Sequence, residues 1–426
     1  MKKQEVPIVA WIGLDWADQE HYICLQAEGC EGVQSRVLKH QPEAIQQWVQ
    51  QLRRLFPQGR VALALEQSRG PLIYALMHYE FLILYPVPPK MLAKYREAFR
   101  SSGATDDPSD AALLLEILRY HRSRLRPWKP DDEQTRFLQR LVEYRRKTVD
   151  QRTALTNELT SLLKEYFPQV LHWAGSLKKR RALDFLTRWP TLQVLQRTSP
   201  EQIREFYRTH RCRGQAVLKE RLQEIRQALP LTQDRVVLEA SQIRVRILVQ
   251  QLECLRLALE ELEKKIAECF QQHPDRCLYE ALPGAGEALA PRLLVAFGSD
   301  RSRYPSAQEL QQFSGIAPVT TRSGRSCWVH WRLACPKFLR QSFHEFATHS
   351  IARSLWARAY YQLQRERGKG HHAAVRALAY KWIRILFRCW QSRQPYDENI
   401  YLRALQRRQS PLWARIVQQS SMRVVA

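Results

Sequence analysis

Two apolar runs that each stop at an acid constrain this chain more than any other feature. P-I-V-A-W-I-G-L-D (residues 7–15) and R-V-A-L-A-L-E (residues 60–66) have the length and content of buried strands, and they end at Asp15 and Glu66. Between them Pro42 opens an amphipathic helix that runs to about Phe56, with Ile45, Trp48, Val49, Leu52 and Leu55 on one face. A strand, a crossover helix and a second strand close in the right-handed sense, which sets the two strands parallel and side by side. Asp15 and Glu66 then project from one edge of one sheet.

The neighbouring segments extend this pattern. His21–Ala27 and Gln34–Lys39 fit two more strands after a turn at Asp18-Gln19, and a helix near 71–79, the strand Phe81–Pro86 and a helix near 90–99 follow. The order β-β-β-α-β-α-β-α is that of an α/β RNase H-like fold. D-P-S-D at 107–110 places Asp107 and Asp110 three apart at the mouth of a helix, hence on one face, and Gly103 lets the preceding loop bend. Four carboxylates from two strands and a helix repel one another unless a cation sits among them. Mg²⁺ is the hard, oxygen-seeking choice, and sites for two such ions cut or join phosphodiesters. Any one of these acids taken alone has a plainer role: Asp110, or Asp106 beside it, suits a helix cap. Capping does not account for Asp15 and Glu66 standing together at the ends of central strands.

The charge balance points to the substrate. The chain has 426 residues and a formal charge of +25, spread along its length rather than held in a tail. A basic body suits a long nucleic-acid track. An anionic membrane surface is the rival, but no apolar run approaches a membrane span and no signal sequence opens the chain, so a cytoplasmic, non-membrane protein is expected. Nine cysteines stand singly, without paired C-x-x-C motifs, and are expected to be reduced and mostly buried thiols.

Long helices fill the middle. Asp131-Asp132 caps a helix over about 133–166 rich in Arg and Lys, and Ser199-Pro200-Glu201-Gln202 is a capping-box helix start. Over 233–271, Val245, Leu248, Leu252, Leu255, Leu259, Leu262, Ile266 and Cys269 step by threes and fours, a heptad seam that predicts a coiled coil. Its partner is either the 133–166 helix folded back or another protomer. Further on, L-P-G-A-G at 282–286 resembles a helix-hairpin-helix turn, in which glycines let backbone N–H groups approach a phosphate; a plain connector is the alternative. Ser306-Ala-Gln-Glu309 starts the next helix. Ser323 then lies in T-R-S-G-R-S between Arg322 and Gly324, with Arg325 beyond and Ser326 as a local competitor. A serine that attacks phosphorus needs an exposed turn and nearby cations, although S-G in a basic loop is most often only a turn. Aromatic and basic residues recur from Trp328 to Trp390, among them Trp331, Arg340, Trp356 and Trp382. They fit phosphate binding and base stacking, but an ordinary core face is the better explanation for most of the aromatics. His371-His372 fits a surface pair rather than a metal site.

G-L-D-W, Glu66, S-G-A-T-D-D-P-S-D-A at 102–111, L-P-G-A-G and S-G-I-A-P-V-T-T-R-S-G at 314–324 occur in one order, and as a set they resemble the insertion-sequence-110 family of transposases, the bridge-RNA-guided recombinases. The resemblance covers about residues 6–125 and 278–390. It implies a RuvC-like domain (1–125) whose D-E-D-D acids are Asp15, Glu66, Asp107 and Asp110, a helical coiled-coil region (126–277), a mainly α-helical transposase domain (278–395) and a tail (396–426). It also implies that Ser323 becomes covalently linked to DNA, and that acid and serine sites combine across protomers in a tetramer built from dimers. Mg²⁺ is the implied cofactor, and donor and target double-stranded DNA and a structured noncoding guide RNA are the implied partners. Thr105-Asp106 departs from the family's usual residues ahead of the third acid, which leaves Asp106 as an alternative to Asp107; the spacing to Asp110-Ala111 favours Asp107. The expectation is an RNA-guided DNA recombinase. Two alternatives stay open: a metal-dependent, structure-specific nuclease that uses water, and a non-catalytic nucleic-acid-binding protein.

Overall fold

The computed structural model describes residues 6–66, 69–99, 106–212 and 214–424, with side chains to residue 418. Gly103 and Thr105 therefore lie outside the described residues. The chain divides into two compact units, Met1–Pro130 and Asp131–Ala426.

The first unit is a five-stranded sheet in the order β3-β2-β1-β4-β5. Its strands are β1 (Ile8–Asp15), β2 (Glu20–Ala27), β3 (Gln34–Lys39), β4 (Arg60–Leu65) and β5 (Leu82–Pro86), and its helices are α1 (Pro42–Leu55), α2 (Pro71–Leu76), α3 (Pro89–Phe99) and α4 (Asp107–His121). β1 pairs antiparallel with β2 and parallel with β4, with Leu14 opposite Leu65. The expected crossover through α1 is present. Side chains alternate across the sheet as a strand's period of two requires. Ile12, Leu14, Leu63 and Leu65 meet Trp48, Leu52, Leu72 and Ile73 of α1 and α2 on one face. Ala62 and Ala64 meet Leu92 of α3 and Leu114 and Leu118 of α4 on the other. Leu55, expected on the buried face of α1, is 65% exposed. It is the last residue of the helix, past the turn that the sheet covers.

Gly13 fixes where α4 crosses the sheet. A Cβ there would stand 2.0 Å from the carbonyl oxygen of Ala111 and 2.4 Å from the backbone nitrogen of Leu115. Backbone lies against backbone, so no side-chain rotation relieves a clash. Gly13→Ala is expected to destabilise the unit by about 3 kcal/mol, the upper part of the range for overpacked cores. Urea denaturation of the two proteins checks this, and an unchanged midpoint would contradict it.

Among the described residues the second unit is helical apart from one hairpin. It begins with α5 (Glu133–Tyr166) and the short helices α6 (Val170–Trp173), α7 (Arg180–Arg188), α8 (Leu192–Gln196), α9 (Pro200–Thr209) and α10 (Gln215–Gln227). Then come α11 (Arg235–Gln272), α12 (Cys277–Glu280), α13 (Gly286–Phe297) and α14 (Ala307–Phe313), followed by the strands β6 (Val319–Ser323) and β7 (Ser326–His330). It ends with α15 (Lys337–Arg353), α16 (Leu355–Glu366), α17 (His371–Ser392), α18 (Glu398–Arg407) and α19 (Pro411–Val424). The predicted caps form: the Asp132 side chain accepts from Thr135 N at 2.9 Å, and Ser199 and Gln202 make a complete capping box.

The partner of the 233–271 seam is α5 of the same chain. Arg145 near the start of α5 pairs with Glu263 near the end of α11, and Glu158 pairs with Arg244, so the two helices run antiparallel. The two ends of this hairpin enter different cores. Leu159, Leu163, Leu248 and Leu252 join the aromatics of α6–α9. Leu138, Leu141, Ile266 and Phe270 join α13, α15 and α17. Trp356, Trp382 and Trp390 are buried core residues there, the plainer of their two predicted roles. In L-P-G-A-G, Gly284 has φ +84°, and a Cβ on it would lie 2.7 Å from the backbone of His349 in α15. Its glycine is required by packing, and Gly286 alone faces open space. Of the nine cysteines, Cys24 and Cys269 are buried and Cys30, Cys254, Cys277 and Cys327 are exposed, so the thiols are not mostly buried. The exposed ones sit on outward helix positions, a surface loop and the hairpin. Among the described residues no helix is long and apolar enough to cross a membrane.

Candidate active site

Asp15, Glu66, Asp107 and Asp110 all belong to the first unit, and three features place them. The parallel pairing of β1 and β4 ends with Leu14 beside Leu65, so the next residues stand together at that edge: Asp15, the last residue of β1 and still paired with Tyr22 of β2, and Glu66, the first residue past β4. The close approach at Gly13 lays the first turn of α4 across the end of β1. The cap of α4 then fixes the helix start: Asp106 accepts a hydrogen bond from Ser109 N at 2.8 Å, which leaves Asp107 and Asp110 as the acids of the first turn. Asp106 thus takes the capping role.

The acids feel one another. Burial, followed by the charges of Asp110, Asp107 and Glu66, pushes the Asp15 carboxyl up to about 7. Burial and Asp110 raise that of Glu66, while the Arg96 guanidinium pulls it down. Carboxylates so arranged are short of positive charge, and an all-oxygen set of hard donors fits Mg²⁺. As they stand, however, no three His, Cys, Asp or Glu side chains among the described residues are close enough together to hold a metal ion. Asp110 is engaged elsewhere: Arg96 of α3 donates to its Oδ1 from Nε at 3.0 Å and from Nη2 at 2.6 Å. Nothing in the sequence singled out Arg96, and Gly13 stood out only as the first residue of G-L-D-W, with no packing role attached to it. Their roles come from the tertiary approach of α3 and β1 to α4, which spacing along the chain does not encode.

Beside this edge, His21 Nδ1 accepts from Ala17 N at 3.3 Å and its Nε2 faces His40 Nδ1 at 2.9 Å. Nε2 therefore carries the ring proton of a neutral His21 and donates it to His40. Burial, and then His40, lowers the His21 pKa to about 4. The pair ties down the turn that follows Asp15.

Ser323 belongs to the second unit. It closes β6 and pairs with Ser326 across a two-residue turn, with Gly324 at φ +54° in the first central position, where such turns need positive φ. Every residue from Thr320 to Trp331 is exposed, Ser323 among them. No described residue hydrogen-bonds its Oγ. Directly opposed residues share a face of a ribbon, so Ser323, Ser326, Thr321 and Trp328 lie on one side. Trp328 is 72% exposed. Trp331, just past the hairpin, lies under Arg376 at 4.5 Å and Arg340 at 5.0 Å. His371 and His372 are an exposed pair, with their rings 5.0 Å apart.

Comparison with known proteins fits both regions. Residues 12–168 match a transposase family defined by the DEDD domain of IS110 elements, and residues 278–362 match the family described as Transposase IS116/IS110/IS902. Over 406 residues, 93% of this chain and 97% of the relative, it is 29% identical to the "Mini-circle putative transposase for IS117" of Streptomyces coelicolor. It is 24% identical to the 42 kDa protein of insertion element IS900 from Mycobacterium paratuberculosis, over 88% of this chain and 94% of that one. It is 27% identical to the 43.6 kDa protein of IS110 from Streptomyces coelicolor, over 67% and 70% of the two chains.

Proposed function

We propose that this chain, which belongs to the IS110 family of transposases, cuts and rejoins DNA through a covalent phosphoserine linkage at Ser323 under the direction of a structured RNA. The observation that carries this is the placement of Ser323 at the tip of an exposed ribbon, with its hydroxyl spent on no internal bond and arginines on both sides. A lone two-stranded ribbon is marginal in water, so an exposed one with a bare tryptophan on the serine's face is suited to being covered by a partner.

Ser323 Oγ attacks phosphorus, the bond from phosphorus to the leaving oxygen breaks, and that oxygen takes up a proton in place of the one lost from Oγ. After strand exchange a DNA hydroxyl attacks the phosphoserine, restoring the phosphodiester and the free serine. One phosphoester bond is exchanged for another at each step, so no ATP is needed. Arg322 and Arg325 supply cations for the phosphate oxygens. Asp15, Glu66, Asp107 and Asp110 would hold Mg²⁺, which when bound supplies charge neutralisation at the scissile phosphate. Asp15 and Glu66 provide a rigid edge for that site, and α4 brings the other two acids to it.

In this scheme residues 1–125 carry the acids, 126–277 form the coiled-coil region, 278–395 carry the serine and 396–426 form a tail. The α5–α11 hairpin is long enough to join protomers, and a tetramer built from dimers would supply acids and serine from different chains. Purified protein should form a denaturation-resistant adduct with DNA of the element's ends only when the noncoding RNA transcribed beside the gene is present. Adduct of equal yield without RNA would remove the guide from the scheme.

A further inference from the structure

The acid cluster already contains a cation, and it belongs to the protein. Arg96 holds Asp110 through two of its nitrogens, and both side chains are largely withdrawn from water, at 17% and 16% exposure. Arg96 also acts on Glu66, so it lies within reach of a strand-end acid as well as of the helix. The carboxylate lone pairs that accept from the guanidinium are those a divalent ion would use. Asp110 cannot serve both at full strength.

A guanidinium removed from a carboxylate seeks another flat, doubly accepting anion, and a phosphate offers the same geometry. We propose that Arg96 is an exchange partner: when a divalent cation takes Asp110, Arg96 is released to hold a non-bridging oxygen of the DNA phosphate at the acid site. This rests on the metal role given above to Asp110. Its consequence is cooperation between metal and DNA. Each binds more tightly when the other is present, by a common factor, because each relieves the cost of parting Arg96 from Asp110. Arg96 is thus a positioning residue that admits the metal together with the phosphate it acts on.

The test uses the full chain carrying Ser323→Ala, so that DNA is bound but not cut, with Mn²⁺ as the metal probe and a short DNA duplex. In the Arg96-containing protein the duplex should raise Mn²⁺ affinity about tenfold, near the middle of the usual range for such linkage. Arg96→Gln should bind Mn²⁺ alone about tenfold more tightly, and the duplex should then add little. Asp110→Asn frees Arg96 without metal, and should raise metal-free duplex affinity several-fold; adding Arg96→Gln to it should erase the gain. Mn²⁺ binding in Arg96→Gln that is unchanged or weaker, or an equal duplex effect with and without Arg96, overturns the exchange. If no form binds Mn²⁺ with or without DNA, the metal role of the acids fails and the exchange with it, whereas the serine adduct is decided by its own measurement.

Discussion

Ser323→Ala is expected to abolish the covalent DNA adduct and to lower recombination by about 10⁴-fold or more, the scale on which an enzyme loses activity with its nucleophile. Folding should be indifferent to the change. The Oγ is exposed and makes no described hydrogen bond, so stability should move by less than about 0.5 kcal/mol, and DNA affinity should stay within about twofold. Ser326→Ala, one step across the turn, should retain the adduct. The same variants separate the alternatives. A nuclease that uses water would still cut DNA in Ser323→Ala without an adduct. A non-catalytic binding protein would form no adduct in any form.

Asp15→Asn is expected to lose recombination as completely, and it has a second signature that needs no activity. The folded Asp15 titrates near 7, well above an ordinary carboxylate at 3.8. Between those values the native state holds a proton that the unfolded chain has lost. The metal-free protein therefore loses stability as pH rises from about 4 to about 7, and above 7 the penalty is complete. Asparagine carries no such penalty. At pH 8 without metal, Asp15→Asn should be the more stable protein by about 1–2 kcal/mol, the full shift being reduced for solvent screening of a partly exposed group. That is a rise of about 4–7 °C in the Tm of the first unit; at pH 4 the two should coincide. Saturating Mg²⁺ should reverse the order at pH 8, because it stabilises a folded state that binds it. Thermal unfolding at two pH values, with and without Mg²⁺, reads all four cases. A variant less stable than the parent at pH 8 without metal would mean that neither burial nor the neighbouring acids penalise the Asp15 carboxylate.

The first unit was legible because its strands are short, apolar and punctuated. An apolar run that stops at an acid marks both a strand and its edge, and the helix between two such runs fixes their relative direction. The chemistry that depends on tertiary approach was not legible. Gly13 reads as one small residue in a strand, and its role appears only when α4 lies across it. Arg96 is an ordinary basic residue of an amphipathic helix until that helix meets α4. The heptad seam of α11 marked a buried stripe but did not name what covers it, since a helix of the same chain and one of another chain present the same surface. The tryptophans divide for a similar reason. Trp356, Trp382 and Trp390 sit on helix faces and are buried, whereas Trp328 is exposed on a ribbon with no opposing layer. Composition alone treats them alike.

The most direct test maps the covalent bond. Protein trapped on DNA of the element's ends is digested with nuclease and protease, and the peptide that retains a nucleotide is sequenced by mass spectrometry. The account predicts one modified residue, Ser323, with the phosphate ester on its Oγ. A nucleotide on Ser326 or on any other residue, or DNA cut and rejoined with no nucleotide retained on the protein, would contradict it.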